Sequence, residues 1–150
     1  NVYNWNFSDK EYRVVYENVG EGNPVLLLPA FSTVSSRTEM KAIANILATQ
    51  YRVTVLDWLG FGESQCPPVD YNPALFQQLL RDFIKSIFNS SIILIAAGHT
   101  SGYALKFSQD NPEIVYKLIF IAPTWQGPLP RPSGRSQKSE VRSRDVSRQP

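Results

Sequence analysis

Short apolar runs rich in β-branched residues alternate along the chain with longer stretches of helical spacing, and turn formers divide them. Residues 11–19 (EYRVVYENV) end at the dense turn cluster Gly20-Glu21-Gly22-Asn23-Pro24, which predicts a strand. The aromatic-rich NVYNWNF before it predicts another. Residues 25–28 are continuously apolar, as in a strand buried on both faces of a parallel sheet. Met40, Ile43, Ala44 and Leu47 then share one helical face, predicting a helix over 37–49 capped by Ser35 or Ser36.

The alternation repeats. Residues 51–56 read as a strand followed by a glycine-rich loop. Asn72-Pro73 opens a helix to about residue 88, its apolar face marked by Leu75, Phe76, Leu79, Leu80, Phe83, Ile84 and Ile87. Residues 91–96 form a second buried strand, 101–109 a helix and 115–121 a last strand, with Asn111-Pro112 between these two. Strands alternating with helices through short connections define the α/β class: a three-layer αβα sandwich around a mostly parallel sheet. Sites in such sheets lie beyond the C-terminal strand ends. That singles out the loops at 29–36, 57–66 and 98–102.

Composition separates a folded part from a tail. Of 150 residues 43% are hydrophobic, with three Trp, seven Tyr and eight Phe, enough for one globular domain over residues 1–130. Those residues hold nine Lys and Arg against eleven Asp and Glu; residues 131–150 hold six against two. The tail (RPSGRSQKSEVRSRDVSRQP) has no aromatic residue and two valines, so it is expected to be disordered. A basic run of this kind either binds anionic polymers or is simply solvated; the second reading is preferred, and no nucleic acid is expected. No apolar run approaches the roughly 18–20 residues of a membrane span. Neither a charged n-region nor an h-region is visible at the N-terminus, which lacks Met, so a presequence is open. The single Cys66 excludes an intramolecular disulfide, and a soluble intracellular protein is expected.

Each loop carries a motif with a plain alternative. Gly60-Phe61-Gly62 suggests a dinucleotide site, but there is no third glycine and no helix follows directly. The glycines instead permit a sharp loop, with Asp57 and Ser64 holding it by hydrogen bonds to backbone amides. Gly98-His99-Thr100-Ser101-Gly102 has the outline of a G-x-S-x-G nucleophile elbow with Thr at its centre. Centring on Ser101 would put His99 and Tyr103 where small residues are needed, so Thr100 is the elbow position. A β-branched residue tolerates the strained elbow conformation poorly. Cys66 with His99 would make a Cys-His dyad only if their loops met; otherwise the thiol is inert.

Four segments in this order resemble the N-terminal half of an α/β-hydrolase, over about residues 11–125. They are VLLLPAF, where that family usually has a strand and then His-Gly; VLDWLGFGES, matching D-x-x-G-x-G-x-S; AAGHTSGYAL at the elbow; and NPEIVYKLIFIAP. The family includes esterases, epoxide hydrolases, haloalkane dehalogenases and cofactor-free haloperoxidases. The resemblance implies six of its strands, backbone oxyanion donors at Phe31 and Ser101, and an apolar pocket near Trp58, Phe31, Tyr103 and Trp125. It also implies a triad whose His and acid follow later strands. Here His99 is the sole histidine, and after the elbow only Asp110, Glu113, Glu140 and Asp145 are acidic. Pro29-Ala30 replaces His-Gly, and Pro29 offers no N–H.

The expected fold is thus an α/β-hydrolase-like domain that is C-terminally truncated, with residues 115–121 as an uncovered apolar edge prone to self-association. Two functions compete. One is a hydrolase-family protein related to enzymes acting on small ester-like or apolar substrates, incompetent as this chain. The other is a non-catalytic protein binding a small apolar ligand or a partner. No cofactor or metal is implied.

Overall fold

Residues of β3 (Asn23–Leu28) and β5 (Ile92–Ala97) send alternate side chains into two separate cores, which is why 25–28 and 92–97 are apolar throughout. Leu26, Leu28, Leu94 and Ala96 face one core; Val25, Leu27, Ile93 and Ile95 face the other. In this computed structural model, residues 1–31 and 36–124 are described. The remaining strands are β1 (Val2–Phe7), β2 (Lys10–Val19), β4 (Tyr51–Leu56) and β6 (Val115–Ile121). They form one six-stranded sheet in the order β1-β2-β4-β3-β5-β6. Neighbours from β4 to β6 are parallel, while β1–β2 and β2–β4 are antiparallel.

Helices cover both faces. A 3₁₀ turn (Arg37–Met40) leads into α1 (Lys41–Leu47), and Met40 and Ala44 pack on Val25, Val53 and Ile95. On the opposite face lie α2 (Pro73–Ile87) and α3 (Thr100–Asp110), with Leu79, Leu80, Phe83 and Phe107 fully buried. The start of α2 follows from two residues. Asn72 accepts from the Leu75 amide at 2.9 Å, and Pro73 supplies the preset φ of a first helical residue. The expected three-layer arrangement is therefore present.

One helix differs from its pattern. Residues 37–49 were expected to be continuous α-helix, yet the first turn is 3₁₀ and the α-helix stops at Leu47. Arg37 is tied to Asp57 by both backbone and side chain, which fixes the first turn independently of helical spacing. Ser36 caps that turn, accepting from the Thr38 amide. Ser35, Trp125 and the tail at 131–150 lie outside the described residues.

The β1–β2 hairpin turns on Ser8 and Asp9, both at positive φ, the backbone sign of a tight two-residue hairpin loop. It would be marginal alone, but α2 holds it. The buried Trp5 indole donates to Asp82 Oδ2 at 2.9 Å, and Tyr3 and Ser86 hydroxyls bond at 3.3 Å. At the other edge, among the described residues, β6 pairs with β5 alone and leaves Tyr116, Ile119 and Phe120 exposed. Among the described residues, no helix is long and apolar enough to cross a membrane.

Removing the indole's acceptor tests the hairpin anchor. Asp82→Ala should cost about 1–3 kcal/mol by leaving a buried donor unpaired, and should raise amide exchange throughout β1. Unchanged stability in a denaturant titration would show that the hairpin holds by its own pairing.

Candidate functional site

The three loops singled out by topology meet at the C-terminal strand ends. The loop after β4 is built around Asp57, which is 1% exposed. Its Oδ2 accepts from the Glu63 amide at 3.0 Å and from Arg37 Nε at 3.0 Å, and its Oδ1 accepts from the Arg37 amide at 2.6 Å. Arg37 also reaches Glu63 and Glu17, both largely exposed, so those pairs are screened and worth little. Ser64 Oγ donates to the Asp57 carbonyl at 2.7 Å and accepts from the Val15 amide at 2.8 Å. Gly62, at φ +52°, folds directly over the carboxylate: a Cβ there would lie 2.3 Å from Asp57 Cγ. Gly60 leaves room for the Tyr71 ring in the same way.

Arg37 was not anticipated from the sequence. The signal was available, because an Asp buried at the end of β4 requires a cation and Arg37 is the sole Lys or Arg between Arg13 and Lys41.

The corner between β5 and α3 departs from the expected geometry. The motif centred the bend on Thr100, but the left-handed residue is Gly98, at φ +56°. Glycine adopts that conformation without steric cost and threonine does not, so the backbone turns two residues early. Thr100 enters the first turn of α3 fully buried, its Oγ1 donating to the Ala97 carbonyl at 2.8 Å and near the Leu28 carbonyl at 3.4 Å. Ser101 Oγ lies 3.4 Å from the Ala96 carbonyl. Both hydroxyls therefore serve strand-end carbonyls. The Ser101 amide, expected as an oxyanion donor, is spent on the Gly98 carbonyl at 3.2 Å, and the Gly102 amide contacts the His99 carbonyl at 3.4 Å. Among the described residues the His99 and Thr100 amides have no acceptor.

Phe31, His99 and Tyr103 come together in a cavity of about 430 Å³ above the strand ends. Phe61, Tyr71 and Phe76 complete its aromatic wall, with Cys66 at the side. The Phe31 ring is the hub, with centroids 4.6 Å from Phe76, 5.0 Å from Trp58, 5.4 Å from Tyr103 and 5.5 Å from Phe61. Trp58 is buried beneath, its Nε1 donating to the Pro29 carbonyl at 3.0 Å. Thr100 and Ser101 do not line this cavity; Ser101 and Gly102 instead border a small groove of about 110 Å³ beside Phe120. A larger cleft of about 760 Å³ runs along α2 and α3 and takes in none of the three loops.

The cavity's polar groups are few. The Tyr71 hydroxyl donates to the Pro67 carbonyl at 2.6 Å and sits 3.7 Å from Cys66 Sγ. Burial, and then the bond to Cys66, push its pKa up to about 12. Burial likewise raises Tyr103. Both phenols are neutral at physiological pH. Cys66 and His99 do share the cavity, while Phe61 and Tyr71 were not foreseen as its lining.

Placed beside known proteins, this strand order and loop arrangement find a family. The alpha/beta hydrolase fold profile matches residues 23–145, and the chain belongs to that family. It is 29% identical over 108 residues to a 2-hydroxy-6-oxo-6-(2'-aminophenyl)hexa-2,4-dienoic acid hydrolase from Metapseudomonas resinovorans, covering 71% of this chain and 37% of that one. It is 24% identical over 110 residues to a soluble epoxide hydrolase from a Corynebacterium species, covering 73% and 38%. Among solved structures, a serine hydrolase involved in carbazole degradation superposes with a TM-score of 0.71 at 26% identity, covering 83% of this chain and 48% of that one. A haloalkane dehalogenase from Agrobacterium tumefaciens C58 gives 0.71 at 19% identity, covering 82% and 41%, a likeness of fold. The chain thus spans less than half the length of these relatives.

Arg37→Met should destabilise the fold by about 3 kcal/mol, because it strips the buried Asp57 of its cation. Arg37→Lys should recover only part of that, lacking the planar fork. Chemical denaturation of the three proteins checks both; equal stabilities would mean the amides alone hold the carboxylate.

Proposed function

We propose that this chain is a non-hydrolytic member of its family that retains the cavity above the strand ends and binds a small apolar molecule there. One observation carries the reading: the residue at the strained strand-to-helix corner is Gly98, which has no side chain to attack with. Nucleophile elbows place the reactive oxygen at that corner, exposed above the sheet. Thr100, the residue the motif nominates, has its hydroxyl buried and bonded to a main-chain carbonyl. A neighbouring base activates a hydroxyl only when it reaches it, and His99 faces the cavity that Thr100 does not line. Phe31 supports the binding half of the reading, since its ring organises the apolar wall.

A hydrolytic reading, action on a small ester-like substrate, draws on the relatives named as hydrolases and on the match at residues 98–102. The two separate in one assay. Incubation with 4-nitrophenyl acetate should give no release above the buffer rate, and Thr100→Ala should change nothing. Turnover that disappears in Thr100→Ala but survives in Ser101→Ala would restore the hydrolase.

The open edge of β6 supports self-association of the chain, since among the described residues its amides and carbonyls lack a second partner strand and, Lys117 apart, its exposed side chains Tyr116, Ile119 and Phe120 are aromatic or aliphatic. Sedimentation velocity should resolve concentration-dependent oligomers that Phe120→Lys with Ile119→Lys shifts to monomer. A wild-type monomer at every concentration would remove this claim.

A further inference from the structure

We infer that the cavity is selective for a one- or two-ring aromatic molecule bearing a neutral hydroxyl, and that His99 is the residue that reads the hydroxyl. This rests on the binding function proposed above and adds the chemistry of the ligand. The wall presents rings in two attitudes. Tyr71 and Phe76 lie at 27° to one another, whereas Tyr103 meets Phe31 at 90° and Phe76 at 81°. An inserted ring therefore finds both negative faces and positive edges, which an aliphatic ring of the same size cannot match. At roughly 430 Å³ the space is within the range of small-ligand sites.

The polar complement narrows the class further. Among the described residues no Lys, Arg, Asp or Glu lines the cavity, so none of them offsets the desolvation of a phosphate or an ammonium group. The Tyr71 hydroxyl is already bonded to Pro67. Among the described residues, the His99 imidazole and the Tyr103 hydroxyl have no hydrogen-bond partner. Neutral imidazole offers one donor and one acceptor, the complement of a hydroxyl that both gives and takes. His99 also stands at the entry of α3, over the strand ends, where the backbone geometry fixes its position.

Cys66 supplies a reporter, because it is the chain's single cysteine, is exposed, and borders the cavity. The experiment measures binding of 2-naphthol, naphthalene and decahydro-2-naphthol by calorimetry, together with the rate of Cys66 alkylation by iodoacetamide. 2-Naphthol should bind about threefold to tenfold more tightly than its saturated analogue and should slow the alkylation. His99→Leu should reduce 2-naphthol affinity to that of naphthalene while naphthalene binding is unchanged, which also shows the variant is folded. His99→Gln, keeping a donor and an acceptor, should restore part of the loss, and Tyr103→Phe should retain the preference. Equal binding of the saturated alcohol overturns the aromatic selectivity and leaves the binding function standing. Loss of the preference in Tyr103→Phe alone overturns the role of His99. Failure of all three compounds to bind or protect Cys66 removes the binding function itself.

Discussion

A single buried carboxylate organises the end of the sheet where the cavity lies. Asp57 joins the loop after β4 to the entry of the first helix through Arg37, and Ser64 passes that connection on to β2. Two strands and a helical turn, distant in sequence, therefore share one fixed point. Such a group is expensive to bury, and only a complete set of partners makes it tolerable. That completeness is why the loop has one shape. With the loop fixed, Trp58 is directed inward to the Pro29 carbonyl and Phe31 is supported from below. The aromatic wall is thus a consequence of an electrostatic requirement several residues away.

Apolar and polar demands are kept apart in space. Side-chain hydroxyls and the charged network satisfy backbone groups at the strand ends, leaving the cavity above them lined by rings. The Thr100 and Ser101 hydroxyls stabilise the helix entry, so their gain goes to the fold.

Most of the architecture was legible because it rests on periodicity. The two buried strands could be read from unbroken apolar runs, and α2 from its face between Leu75 and Ile84 together with Asn72-Pro73. What was not legible depended on which of several permitted local geometries tertiary contacts select. The motif at residues 98–102 fits an elbow at Thr100 by residue size, yet the backbone takes the lower-energy bend at Gly98. Pattern matching counts positions, whereas the chain responds to φ. The 3₁₀ turn at Arg37 is similar, since its cause is an ion pair twenty residues distant. Phe61 and Tyr71 escaped notice because aromatic residues in loops carry no period.

The glycine corner also bears on the reversibility of change. A Cβ added at Gly98 would stand 3.2 Å from the Ala30 Cβ, closer than ordinary contact, and in a conformation that side chains resist. Ala30 occupies the position where the resembling family carries glycine. A side chain at this corner would therefore need Ala30 to give by a few tenths of an ångström. The pair Ala30 and Gly98 thus sets the room at the corner: any side chain introduced there meets a close neighbour and an unfavourable φ at once.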